Sequence, residues 1–350
     1  MRVGAFLLAG QFPGQDHGTV LERTVAAAVA AEDAGFDDVW IAEHHFMTYG
    51  VCPSAITWAG YVLGRTRRIE VGTAVSVLST VHPVAFGEQA ALLDQLSGGR
   101  FRLGIGRGGP WVDLEVFGTG RERIEDEGFA ASLDLLLRWL TRDSVAGDGG
   151  LFPFREVAVV PRPATRPRLP VVLACTSPRS AALAAARGLS MLLGMNISDS
   201  QKAELVADYT ATAQRAGHDP DGARHVFAAL AHVADTRQEA LATLRAAMPP
   251  WLGPGLAGFQ ALDGQPRRYS DPLEYTELLC SLNPIGSPDE CVAHLRRTQR
   301  RTGIDHAILM VDACGDRKAT LANIARLGAE VLPHLQSSRE ASAGALDAAG

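Results

Sequence analysis

The chain has 350 residues, 47% of them hydrophobic and 21% charged, which is enough for a large buried core as one big α/β barrel or two smaller domains. A formal net charge of −6 and a pI near 5.9 argue against nucleic acid or an anionic membrane as the main partner. No apolar run reaches membrane-spanning length, and Met1-Arg2-Val3-Gly4-Ala5-Phe6-Leu7-Leu8 is too short and too weakly basic for a signal peptide. Five scattered cysteines (Cys52, Cys175, Cys280, Cys291 and Cys314), with no C-x-x-C pair, point to a reduced cytoplasmic setting and no zinc site.

Short β-type runs alternate with Ala/Leu-rich helical runs along the chain. Strands are expected at Arg2–Leu8, Asp38–Ala42, Glu70–Leu78, Phe101–Ile105, Pro170–Ala174, Ser190–Leu193, His225–Val233 and His306–Val311. Between them lie amphipathic stretches: Val20–Ala34, Val84–Leu96, Glu122–Leu140, Ser180–Ala186, Ser200–Ala216, Gln238–Ala247, Asp289–Arg301 and Lys318–Leu332. Ser177-Pro178 and Ser287-Pro288-Asp289-Glu290 carry helix-start chemistry, and Gly35, Gly188, Gly217 and Gly303 sit just past helix ends. The pattern predicts a (β/α)8 TIM barrel with insertions, as one domain over 1–335. The insertions are 143–167 and 249–284, the second a long lid-like loop before the last strand. The Ser/Ala/Gly-rich stretch 336–350 is expected to be a disordered tail.

Chemistry is expected at the C-terminal strand tips. Glu43-His44-His45-Phe46 closes the second strand run, and successive strand side chains point to opposite faces. His44 and His45 therefore cannot chelate one metal together: at most one imidazole faces the barrel mouth while the other braces the structure or touches a neighbour, the alternative being a pair of hydrogen-bonded structural histidines. Gly104-Ile105-Gly106-Arg107-Gly108-Gly109 matches G-x-G-x-x-G, but it follows the fourth strand, and Pro110-Trp111 comes next instead of an opening helix. It reads better as a strand tip with room for something flat. There Arg107 either offers a fork to a phosphate or pairs with Glu43 or Asp113.

Ala174-Cys175-Thr176-Ser177-Pro178-Arg179-Ser180 joins a strand to a helix. It is either a phosphate site at a helix N-terminus, with Arg179 adding charge, or ordinary capping by Ser177. Cys175 has no identifiable activating base and reads as a small buried thiol. His82 suits capping or hydrogen bonding, His232 either lines the mouth or is a satisfied structural histidine, and Glu88 on an apolar helix face suggests a buried polar contact, within the subunit or across a dimer interface.

Several stretches taken together resemble the bacterial luciferase family of flavin-dependent monooxygenases. They are Gly35-Phe36-Asp37 through Phe46, Val71-Gly72-Thr73-Ala74, His82-Pro83-Val84, Leu93 through Arg102, and Asn283 through Cys291. The resemblance runs from Met1 to about Leu335. It implies reduced FMN at the barrel mouth, reacting with the co-substrate O2 to give a C4a-(hydro)peroxyflavin that oxygenates a small organic molecule. By position, His44 is the implied catalytic imidazole and His45 its support. Ala74-Val75 is the implied non-proline cis peptide under the flavin ring. The implied cofactor contacts are Ala74, Val75, Gly106, Arg107, Ala174, Cys175, Thr176, Ser177, Ser180 and Met195, with Arg107 and the Thr176–Ser180 turn as phosphate clamp. Glu88 is the implied dimer-interface glutamate of a homodimer.

Three positions depart from the family pattern. Gly106 replaces a reactive cysteine, and Pro110 replaces an aromatic. Glu125 stands where a second phosphate-binding arginine would be, with Arg121 and Arg123 close by. A side chain lost at Gly106 is expected to widen the pocket for a bulky aromatic or polyketide-type substrate rather than a long-chain aldehyde. With no NAD(P)H site recognisable, a separate flavin reductase is the expected partner. The rival readings are an F420-dependent hydride-transfer enzyme and a non-catalytic flavin-binding or subunit-type protein.

Overall fold

The computed structural model describes residues 1–259 and 271–336. Eight parallel strands form a closed barrel: β1 (Arg2–Leu7), β2 (Asp38–Ile41), β3 (Glu70–Thr73), β4 (Phe101–Gly106), β5 (Val171–Cys175), β6 (Ser190–Leu193), β7 (Val226–Leu230) and β8 (His306–Met310). Their spatial order is 3-2-1-8-7-6-5-4, and β3 pairs with β4 through Val71–Phe101 and Gly72–Arg102 to close the ring. Around it run α1 (His17–Asp33), α2 (Ala55–Leu63), α3 (Pro83–Ser97), α4 (Trp111–Phe117), α5 (Asp126–Thr141), α6 (Pro178–Ala185), α7 (Asp199–Arg215), α8 (Arg237–Ala257), α9 (Pro272–Leu282), α10 (Pro288–Thr302) and α11 (Arg317–Arg326). Capping boxes at Ser177, Ser198, Thr236 and Ser287 start α6, α7, α8 and α10 by satisfying first-turn amides.

Strand alternation sorts the apolar side chains into two layers. Val3, Ala5, Leu7, Val39, Ile41, Leu103, Leu173 and Leu309 join the helices in one core. Phe6, Trp40, Val172, Leu192, Ala228, Ile308 and Met310 form the barrel interior. Interior glycines make room for the larger interior groups: a Cβ at Gly72 would collide with the Trp40 ring, and one at Gly4 with the Asp38 carboxylate.

The structure corrects the sequence reading in several places. The expected strand Glu70–Leu78 stops at Thr73. The Ala74–Val75 peptide is cis, and Ser76–Val77 resumes pairing against Ile105 and Gly106. Likewise, His225–Val233 splits into β7 and the pair His232–Val233, which is bonded to Ile285–Gly286. A helix does open at Trp111, against expectation, so the Rossmann reading is excluded by barrel closure and not by the lack of a helix. The expected loop 249–284 is largely helical: α8 continues through Pro249, Pro250 and Pro254, and α9 follows. Burial of Leu244, Met248, Trp251, Leu252 and Gly255 on one stripe of α8 outweighs the propensity cost of the prolines. The middle of that segment, 260–270, and 337–350 of the expected tail lie outside the described residues.

At the N-terminal end of the barrel, Asp38 is fully buried and meets His306 Nε2 at 2.9 Å, Arg2 Nη2 at 2.8 Å and the Trp40 indole N–H at 2.7 Å. Burial alone would raise its carboxyl pKa, but His306 and Arg2 more than offset this and hold it down at about 2, against 3.8 ordinarily. With the folded pKa depressed, the ionised carboxylate stabilises the fold fully above about pH 4, and that stabilisation is lost as pH falls toward 2. Asp38→Asn is expected to cost about 3–5 kcal/mol at neutral pH, and the wild-type advantage should shrink steadily in urea melts between about pH 4 and 2. A mutant penalty independent of pH would contradict this account.

Candidate active site at the barrel mouth

The second strand ends at Ile41, so Ala42 to His45 continue as a loop over the mouth. Glu43 anchors that loop: its Oε2 accepts from the Ala55 amide at 2.8 Å and its Oε1 from the Val77 amide at 3.0 Å. The two histidines separate as anticipated, although a loop and not strand alternation divides them. His45 is buried, with Nε2 3.4 Å from Glu43 Oε1 and its ring edge-on to Phe117 at 4.9 Å. His44 instead lines the mouth, edge-on to Tyr49 at 5.0 Å. Asp113, also buried, joins the Glu43–His45 side: burial pushes its carboxyl up, His45 draws it down and Glu43 pushes it up again.

Three cavities meet here. One of about 280 Å³ is lined by His44, Ala74, Val75, Ala174, Thr176 and Met195, above the interior side chains Phe6, Leu192 and Ile308. A second, of about 350 Å³, is bounded by Val75, Gly106, Arg107, Thr176, Ser177 and Ser180. A third, of about 860 Å³, has polar residues Asn196, Ser198 and Gln201 on one side and Leu256, Phe259, Leu278 and Leu282 on the other. Thr176 borders all three. The expected site residues therefore fall together at one mouth with two exceptions: His45 is buried and lines none of the three cavities, and Cys175 contributes no accessible thiol, its Sγ being buried and donating to the Leu173 carbonyl at 3.3 Å.

The turn before α6 behaves as an ordinary capping box. Ser177 Oγ accepts from the Ser180 amide at 3.3 Å, and Ser180 Oγ accepts from the Thr176 and Ser177 amides at 3.1 Å each. Arg107 extends over the Phe129 ring, 5.4 Å from its centroid. Arg179 faces elsewhere, into a surface recess with Glu122, Glu125 and Glu127. Arg123 cannot stand in for a phosphate-binding arginine: it is buried and donates to the Val81 and Leu78 carbonyls at 2.6 and 3.2 Å. Glu88 is exposed on α3 and not buried within the subunit. The donors and the apolar-walled slot suit a ring system carrying a phosphate: hydroxyls and a guanidinium bound the second cavity, while Ala74, Val75 and Met195 wall the first.

Sequence reasoning missed Tyr49, Asn196 and Tyr275, which line the mouth from loops and from α9. No motif marks them; only the closed barrel brings them near His44. Asn196 makes no hydrogen bond among the described residues, so its amide is available to a ligand. Burial pushes the thiols of Cys52, Cys175, Cys291 and Cys314 up to about 12 and that of Cys280 to about 11, leaving them protonated and inert at neutral pH.

Gly106 does not simply widen the pocket. A Cβ built there would run into Val75 Cγ2, so the valine fills the space the missing side chain vacates. Gly106→Ala is expected to destabilise the protein by about 1–3 kcal/mol through overpacking, with most of the loss recovered in Gly106→Ala/Val75→Ala. Additive melting-temperature losses in the double variant would show the two sites to be independent.

Comparison with known proteins agrees with this geometry. Residues 1–306 match the family model for luciferase-like monooxygenases. An alkanal monooxygenase alpha chain from a Kryptophanaron alfredi symbiont is 30% identical over 353 residues, covering 96% of this chain and 99% of the relative. Among solved structures, monooxygenase RslO1 from Streptomyces bottropensis superposes with a TM-score of 0.83 at 23% identity, over 95% of this chain and 99% of that one. The FMN-bound oxygenating constituent of 3,6-diketocamphane monooxygenase from Pseudomonas putida gives 0.76 at 19% identity, over 95% and 98%. An F420-dependent secondary alcohol dehydrogenase gives 0.75 at 19%, also over 95% and 98%. With most of its length matched by the family model and a relative at 30% identity end to end, the chain belongs to the luciferase-like monooxygenases and is an enzyme of that type.

Proposed function

We propose that this chain is the oxygenating component of a two-component monooxygenase, using FMNH2 from a separate cytoplasmic reductase and O2 to oxidise a bulky aromatic or polyketide-type substrate. The observation that carries the proposal is the meeting of three cavities at Thr176, two of them also bordered by His44, which sets a recess lined by hydroxyls and a guanidinium, an apolar-walled slot and a larger chamber side by side. Arg107 and the Thr176, Ser177 and Ser180 hydroxyls would hold the phosphate, with Ala174 beside them. Ala74, Val75, Gly106 and Met195 would wall the ring. Reduced FMN, when bound, supplies the electrons and the dioxygen chemistry.

The remaining work belongs to this chain. Apolar walls keep water from the slot. His44 moves or holds a proton at the edge of the slot, where general acid–base help is typically worth ~10²–10⁴ in rate. His45, through Glu43, keeps the His44 loop in place. The chamber, at about 860 Å³, is large enough for a fused ring system, and Asn196 offers it a polar anchor. Exposed Leu92 and Leu96, with Glu88 and Tyr61, give α2 and α3 an apolar face suited to a homodimer.

The F420 reading draws support from the dehydrogenase of the same fold, and the decisive experiment separates it. Single-turnover mixing of the FMNH2 complex with O2 and a polycyclic phenol should yield oxygenated product; anaerobic turnover with reduced F420 would favour hydride transfer instead. In the same assay His44→Ala should lose ~10²–10⁴ in oxygenation and keep FMN affinity, while Arg107→Ala should weaken FMN far more than riboflavin. Lost FMN affinity with preserved turnover in His44→Ala, or equal effects of Arg107→Ala on both flavins, would refute these roles. Leu92→Glu/Leu96→Glu should sediment as a monomer if that face joins two copies; an unchanged sedimentation coefficient would rule the face out.

A further inference from the structure

His44 stands at the end of a continuous stack of rings. Tyr49 meets it edge-on at 5.0 Å and lies parallel to Trp251 of α8, with 5.1 Å between centroids and 5° between planes. Trp251 in turn stacks on Phe12 at 5.1 Å and 21°, and the Arg23 guanidinium covers Phe12 at 5.6 Å. Arg23 is itself buried and held by the Gly10 carbonyl at 2.6 Å and by the Gly315 carbonyl.

Glycines clear the path at each step. A Cβ at Gly10 would stand 2.7 Å from the Trp251 ring, one at Gly255 would stand 3.0 Å from Tyr49 Cα, and one at Gly315 would overlap Phe12. At the working end, a Cβ at Gly50 would lie 2.7 Å from His44 Nδ1. Trp251 is 1% exposed, and its indole N–H has no hydrogen-bond partner among the described residues. An unsatisfied buried donor is costly, so the residue is kept for its ring and not for its nitrogen.

We propose that this column sets the orientation of the His44 imidazole from α8, making Tyr49 and Trp251 positioning residues for the reaction. The proposal rests on the reading of His44 as the working imidazole. α8 also carries Leu256, which lines the chamber five residues beyond Trp251 and so ties the substrate wall to the same helix. Rings stacked this closely restrict tilt and rotation without adding a titratable group, and a slight misplacement at a reacting centre costs up to ~10²-fold in rate.

The test uses the full chain with 13C-labelled histidine rings, the His44 signal being assigned by its loss in His44→Gln. Trp251→Leu and Tyr49→Leu should each move the His44 ring signal and its titration midpoint, and Trp251→Leu, whose ring lines none of the three cavities, should retain FMN affinity. Oxygenation in single turnover should fall up to ~10²-fold in both. Trp251→Phe, which keeps a ring in the stack and removes the orphan N–H, should rescue both readouts. Tyr49 lies at the half-buried mouth, so its variant keeps the test open should Trp251→Leu fail to fold. An unmoved His44 signal and midpoint in Tyr49→Leu overturns the positioning role whatever the rate does. A moved signal with an unchanged oxygenation rate upholds the positioning and overturns His44 as the working imidazole.

Discussion

One carboxylate, that of Glu43, holds the barrel mouth in its working shape. Its two oxygens take amides from opposite directions, one from the start of α2 and one from Val77 just past the cis peptide. The interrupted third strand and the loop carrying both histidines are thereby tied to a single side chain. His45 packs against the same carboxylate and spends its imidazole on bracing. Removing the charge would free two amides at once, and the cavities on either side of Val75 would lose their common wall. Asp113 adds a second buried carboxyl to this side of the mouth, so the face behind the histidines is acidic while the face before them is apolar.

The electrostatic design differs between the two ends of the barrel. At the N-terminal end, charges are paired: Asp38 and Glu70 face Arg2, Arg102 and His306 in one network. At the C-terminal end, polar residues such as Asn196 and Thr176 border the cavities instead. This division, stability below and chemistry above, is what a closed parallel barrel favours, because the strand tips on one face supply every catalytic loop.

Much of this was legible in the sequence. Alternating runs and capping residues predicted the barrel, and Ser177-Pro178 and Ser287-Pro288 mark true helix starts. The Glu43–Phe46 segment, Arg107 and the Thr176–Ser180 turn do converge. What could not be read was set by tertiary packing. The prolines of α8 suggested a loop, but burial of Met248, Trp251 and Leu252 outweighed local propensity. Gly106 suggested empty space, yet the space belongs to Val75, thirty-one residues earlier in the chain. Tyr49, Asn196 and Tyr275 come from three different loops and helices and share no periodicity, so no local pattern could unite them. The 2.0 and 3.6 periods report which face is buried, not which neighbours a loop residue acquires.

The inert thiols have a chemical consequence for durability. An oxygenase that spends reduced flavin without substrate releases hydrogen peroxide into its own mouth, and the sulfur form most readily attacked is the thiolate. With every cysteine held protonated by burial and glycine at position 106, the mouth presents no such target. A thioether does lie in the cavity wall, that of Met195. Oxidised to the sulfoxide, it would place a polar group against the slot. Under the proposed function, that lesion at Met195 is one that reductases of methionine sulfoxide can reverse.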